Sequence, residues 1–230
     1  MNRKSQRGVS YIEFALSLLV LVPLLLGTIG IGLNLIRAFQ TIQVARDAGH
    51  MYARGVDFSQ TGNKTILANL AVNIGLNSTS GVLGTAGSGS AVAIFSTVTY
   101  IDATACQKCG STYYSGGAPT ASCRNLSKWV FGQRIIIGDS NMRTSGYGSP
   151  VVTGNSPVTI GADGTISPTD QCGNTGDQAT FTSINPYQSV SGTVSGLPSG
   201  QLIYISEVAD RGFILPPFMN NPIQYAFGMF

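Results

Sequence analysis

Residues 15–36, ALSLLVLVPLLLGTIGIGLNLI, carry no charge over 22 positions. About 20 apolar residues suffice to cross a bilayer as a helix. A cleaved secretory signal has a shorter apolar core and a small-residue cleavage site soon after it. Here Arg37-Ala38-Phe39-Gln40 follows instead, so the stretch reads as a retained span. Pro23, Gly27, Gly30 and Gly32 interrupt it. Such residues are tolerated in membrane helices, and small ones also allow close helix packing.

The flanks carry the charge. Arg3, Lys4 and Arg7 come first, and basic residues beside a span stay on the cytoplasmic side. The expected topology is a single pass through the cytoplasmic (inner) membrane, with the N-terminus inside and the rest outside. Glu13 stands at the mouth of the span, where a charge is costly and marks function by default. The plainer explanation is a carboxylate complementing the helix dipole.

The helix is expected to continue past the span. Residues 37–54 hold good helix formers and no proline. Leu35, Ile36, Phe39, Ile42, Val44, Ala45, Ala48, Met51 and Tyr52 recur at the spacing of one helical face. Gly55 is the expected stop. A helix over 9–54 would be roughly 70 Å long at 1.5 Å per residue, half in lipid and half projecting as a stem. Residues 64–77 form a weaker helical segment, with Ile66, Leu67, Leu70, Ile74 and Leu76 facing the stem. Residues 78–90 are a Gly/Ser-rich loop.

From residue 91 the period changes. Segments 91–101, 133–138, 157–160, 189–194 and 201–208 are rich in β-branched and aromatic residues and read as strands. Gly, Pro, Asn and Asp separate them. The fold class is therefore α+β: a long N-terminal transmembrane and stem helix, then a small, mostly antiparallel sheet domain over 55–230. Residues 139–188 read as a polar insertion, since structureless stretches this long are usually functional or disordered. The tail from Gly212 carries Phe213, Phe218, Tyr225, Phe227 and Phe230. It reads as a strap laying aromatic rings on the sheet, or as an apolar contact for a neighbour.

Cys106, Cys109, Cys123 and Cys172 all fall in the external part. An even count there favours disulfides, with three pairings open. Cys106 and Cys109 also have zinc-ligand spacing, but no second such pair follows and His50 is remote. Free thiols are the third option.

Enzyme machinery is sparse in the sequence. His50 is the one histidine, and no nucleophile elbow, zinc-protease helix or P-loop occurs. Asp139 and Asp163-Gly164 fit turn chemistry. Asp163, Asp170 and Asp177 lack the dense alternation of an EF-hand loop. No cofactor or metal is expected, and the chain reads as structural and interacting, not catalytic.

The joint pattern of basic stub, Gly8, Glu13 five residues on, Phe14 and apolar run resembles the class III signal of type IV pilins. It most resembles the TadE-like pseudopilins of the Tad (tight adherence) system. The resemblance covers chiefly residues 7–54, where Val44-Ala45-Arg46-Asp47-Ala48-Gly49 is similar to an Ala- and Gly-rich segment of that family. Glu207 is loosely similar to a late acidic position on a strand. The resemblance implies cutting by a prepilin peptidase between Gly8 and Val9, so residues 1–8 are a leader and Glu13 becomes the fifth residue. It also implies that Glu13 pairs with the N-terminal amine, typically of a neighbouring subunit, with Phe14 beside it in the assembly segment.

Removal of Arg3, Lys4 and Arg7 takes three of 13 basic side chains and leaves ten, equal to the ten acidic ones. A neutral mature chain offers no basic face to nucleic acid. The partners implied are the peptidase, other pilin subunits through the N-terminal helix, and the bilayer before assembly. Tad-type major pilins are typically very short, so a chain of 230 residues resembles an accessory or minor subunit. Two rival classes stand beside this one. A membrane-anchored binding domain outside any filament would keep its N-terminus uncut. A membrane-tethered hydrolase would show a reactive thiol.

Overall fold

A computed structural model describes residues 3–79, 81–154, 157–180, 202–216, 220 and 222–230, with side chains from Tyr11 onward. It has a long apolar N-terminal helix followed by an antiparallel sheet domain.

Helix α1 runs Arg3–Ala53 and so begins inside the basic stub, six residues before the expected start. It ends at the expected glycine. The Gly55 N–H reaches the Tyr52 carbonyl and the Val56 N–H reaches the Met51 carbonyl, each at 3.0 Å. This Schellman pairing needs a left-handed residue after the helix, and Gly55 has φ 87°. Helix α2, Thr61–Leu70, and a short 3-10 turn, Val72–Ile74, then pack beside the stem. Leu67, Ile74 and Leu76 are buried there, whereas Ile66 and Leu70 face outward.

The sheet contains β1 (Ala91–Tyr100), β4 (Trp129–Gly138), β5 (Leu202–Arg211) and β6 (Ile223–Met229), in the order β4-β1-β5-β6, each pair antiparallel. Successive side chains along a strand point to opposite faces. One face places Ala91, Ala93, Phe95, Ile135, Ile137, Val208 and Ala226 against Val44, Ala45, Ala48 and Tyr52 of α1. The other buries Val98, Phe131, Ile203 and Ile205 under Tyr147, Val158 and Ile166.

Two expectations change here. The described part of 139–188 is the cover of the second sheet face, because those strands are apolar on both sides and need a lid. Residues 157–160 form no strand; Ile160 makes only a single bridge to Ile166. The expected strand over 189–194 and Phe218 lie outside the described residues. The expected strap contains strand β6.

The β1–β4 connection is a small lobe. It holds α3 (Ala103–Lys108), capped by Asp102, and a hairpin of β2 (Tyr114–Ser115) and β3 (Ala118–Pro119). Helix α4 (Pro168–Gly173), capped by Ser167, packs against it.

Candidate functional site

The N-terminal helix has two regimes. From Tyr11 to Ile29 every residue is exposed except Gly27, which is half-buried. That is about 19 residues, or roughly 28 Å of helix at 1.5 Å per residue. Leu16, Leu19, Val20, Leu21, Leu24 and Leu25 all stand in the open. Water would oppose so much bare apolar surface, and hydrocarbon would not. Among the described residues this is one helix long and apolar enough to cross a membrane.

Glu13 and Phe14 lie on this free segment, both exposed. No described side chain pairs with the Glu13 carboxylate. Gly8 and Val9 lie on the same helix, but their side-chain surroundings are outside the described residues.

From Gly30 the second regime begins. The buried positions are Gly30, Asn34, Thr41, Val44, Ala45, Ala48, Gly49 and Tyr52, with Arg37 half-buried among them. Their spacing of three and four defines one face. This face differs from the expected one, for Leu35, Ile36, Phe39 and Ile42 are more than half exposed. The reason is what α1 meets. Its first two docked turns lie beside the end of β5 and the chain leaving it, where backbone groups and one carboxylate need partners.

Those partners are polar residues of the helix. The Asn34 amide donates to the Phe213 carbonyl at 3.1 Å, and its oxygen accepts the Phe213 N–H at 2.9 Å. The side chain thus pairs with that residue's backbone as a neighbouring strand would. Arg37 donates to the Arg211 carbonyl at 2.6 Å and lies 3.9 Å from the Asp210 carboxylate. The Thr41 hydroxyl donates to Asp210 at 2.8 Å. Farther on, the Ser206 hydroxyl donates to the Ala45 carbonyl at 2.9 Å, which only a small residue's backbone can approach so closely. Burial raises the Asp210 pKa, and the Thr41 hydrogen bond and the Arg37 charge oppose that. Asn34, Arg37, Thr41, Ser206 and Asp210 escaped the sequence reading. The signal was present: three polar residues spaced by three and four across the end of an apolar run.

The segment 44–49 gains a physical reason. Ala45 and Ala48 let the helix settle on the sheet, and a Cβ on Gly49 would overlap the Phe230 ring. Phe230 also packs on His50, with ring centroids 4.6 Å apart.

The four cysteines form two disulfides, Cys106–Cys123 and Cys109–Cys172. The Cys-x-x-Cys pair is therefore not joined to itself, and no described cysteine is free. Both bridges hold α3, one to the coil before β4 and one to α4. Buried Asn125 adds a polar tie, donating to the Gln171 and Asn174 carbonyls at 2.9 and 2.8 Å. No described group of three His, Cys, Asp or Glu side chains can hold a metal.

The second sheet face carries two buried charges. Arg134 donates to Ser96, the Gly148 carbonyl and Ser149. Burial lowers its pKa to about 10 against the opposing pull of Glu207. Glu207 accepts from Ser145, from the Gly146 N–H at 2.8 Å and from the Tyr225 hydroxyl at 2.7 Å. Residues 145–149 thus bridge both charges and hold the cover on the sheet. Of the three loop aspartates, Asp177 feels the charge of Asp170 but no described partner bonds it, and Asp163 is bonded locally to Thr165.

No family model, no curated protein and no solved structure matches the chain.

Proposed function

We propose that this chain is a membrane-inserted, pilin-like subunit of a Tad or type IV-like pilus, acting in pilus biogenesis or surface adhesion. The observation that carries the reading is the bare apolar helix of about 19 residues ahead of a firmly clamped domain, with Glu13 exposed at its start. Exposed Phe39 and Ile42 extend that apolar surface up the stem beyond the span. A helix that is apolar beyond what one bilayer covers has surface left for other helices.

The chemistry at the N-terminus supports the same reading. A glycine in a helix costs about 1 kcal/mol relative to alanine, so Gly8 weakens the helix locally where a peptidase must open it. Cutting there would create an ammonium at Val9, four residues from Glu13 and on the same helical face. A carboxylate entering hydrocarbon needs such a partner. In the filament the partner would be the amine of a neighbouring subunit. The domain would project outside the cytoplasmic membrane as the contact-making part, with the peptidase supplied by a separate protein.

The test is the N-terminal peptide mass of chain isolated from native membranes or a sheared surface fraction. A chain beginning at Val9 supports the reading. One beginning at Met1 or Asn2 leaves a plain anchored binding domain. Glu13→Ala is expected to leave the span inserted but to reduce incorporation into sheared filaments by tenfold or more, on the order of the 1.4 kcal/mol or more that an unpaired charge costs. Unchanged incorporation would sink the role given to Glu13.

A further inference from the structure

The chain leaves β5 at the membrane end of the domain. Strand β5 descends along α1: Ser206 meets Ala45, Asp210 meets Thr41, Arg211 meets Arg37 and Phe213 meets Asn34. Each step moves toward the N-terminus of the helix. Asn34 lies inside the uncharged run 15–36, and Gly30, one turn lower, is buried too. The backbone of Phe213 is thus fixed at a depth that the run itself assigns to the outer edge of the hydrocarbon.

The side chains at that depth are apolar and unshielded. Phe213 is 37% exposed and Ile214 42%, and Ile31 and Leu33, the helix residues just before Asn34, are exposed too. The cations stand just above them: Arg37 is half-buried, and exposed Arg211 lies two residues before Phe213. Apolar side chains below and guanidinium groups above is the layering of an interfacial segment, with the cations at phosphate level.

We propose that residues 212–216, where the chain leaves β5, are a foot that seats the domain on the bilayer, with Phe213 and Ile214 inserted at the boundary between headgroups and acyl chains. The occupant is the lipid surface, because the apolar patch continues the lipid-facing surface of the span at the same depth. The Asn34 clamp then fixes how far the helix is drawn into the membrane. This inference rests on α1 spanning the bilayer.

The test uses full-length chain in phosphatidylcholine vesicles containing lipids brominated near the carbonyl end of the acyl chain. Phe213→Trp and Ile214→Trp are compared with Leu19→Trp, on the free helix, and Leu126→Trp, in the membrane-distal lobe. Trp129, the one native tryptophan, is buried and gives the same background in each. Both foot positions are exposed, so either variant can report if the other folds poorly. The expected result is quenching of about twofold and a blue shift for Phe213→Trp and Ile214→Trp, as for an interfacial side chain, with none for Leu126→Trp. If Leu19→Trp is quenched while both foot variants behave like Leu126→Trp, the foot is refuted and the span stands; the patch then faces water or a neighbouring subunit. If Leu19→Trp is not quenched either, the spanning reading falls and takes the foot with it.

Discussion

Asp177 and Glu207 are both buried acids, and their surroundings could hardly differ more. Glu207 has three donors and a guanidinium on the same sheet face. Neither oxygen of Asp177 has a described partner. Burial, and then the charge of Asp170, raises the Asp177 pKa to about 8. Its folded value lies above its unfolded one, so the folded chain holds the proton more tightly. Stability is therefore full below about pH 4 for this group and falls as the pH rises toward 8, by up to about 6 kcal/mol. Thermal unfolding between pH 5 and 8.5 is expected to show this fall, and Asp177→Asn to flatten it. An equal slope in the variant would show that the group is not responsible. At Glu207, removing the acid leaves Arg134 buried without its counter-charge. Glu207→Ala is expected to cost about 3–5 kcal/mol in denaturant unfolding. Glu207→Gln keeps an acceptor and is expected to cost less. The sequence showed an acid on a strand but not the guanidinium it faces or the loop that donates to it, since Arg134 and residues 145–149 arrive from distant parts of the chain.

At the scale of elements, helix α1 shows how composition and packing divide one segment. Its free half follows from the apolar run alone. Its docked half does not, because the inward face is chosen by β5 and not by hydrophobicity. Asn34, Arg37 and Thr41 turn inward to meet the Phe213 backbone, the Arg211 carbonyl and Asp210, and the larger apolar residues turn out. Higher up, where β5 offers Ser206 and Val208, small residues take over. Ala48 is fully buried, and Ala48→Leu is expected to overpack the contact and cost about 1–3 kcal/mol, read as a lower unfolding temperature in detergent. Leu35→Ala, on the exposed side, serves as the control with little loss. Strands β1, β4 and β5 were legible from their β-branched and aromatic runs. Strand β6 was not, since IQYAFGM mixes glycine and polar residues with aromatics and becomes a strand by pairing along β5. Residues 157–160 erred the other way: a strand-like run found no neighbour to continue a ladder.

For the whole molecule, one disulfide closes the membrane-distal lobe on itself and the other ties it to α4. Cys109–Cys172 closes a loop of 63 residues and Cys106–Cys123 one of 17. Loop-closure entropy gives about 4 kcal/mol for the former and about 3 for the latter. Replacing Cys109 and Cys172 with serine is thus expected to lower the unfolding temperature more than replacing Cys106 and Cys123. The opposite order would place the main stabilisation in the α3 lobe itself. The sequence by itself determined the spanning-length helix, its continuation to Gly55, the α+β class and the presence of an even set of cysteines after it. These rest on local composition and periodicity, which neighbouring residues carry in full. Only the tertiary structure decided the disulfide pairing, the inward face of the stem, the role of the described part of 139–180 as a cover, and the pairing of Asn34 with the chain leaving β5. Each of these depends on which remote groups must share a hydrogen bond, a charge or a buried surface, and no local stretch of sequence contains both partners.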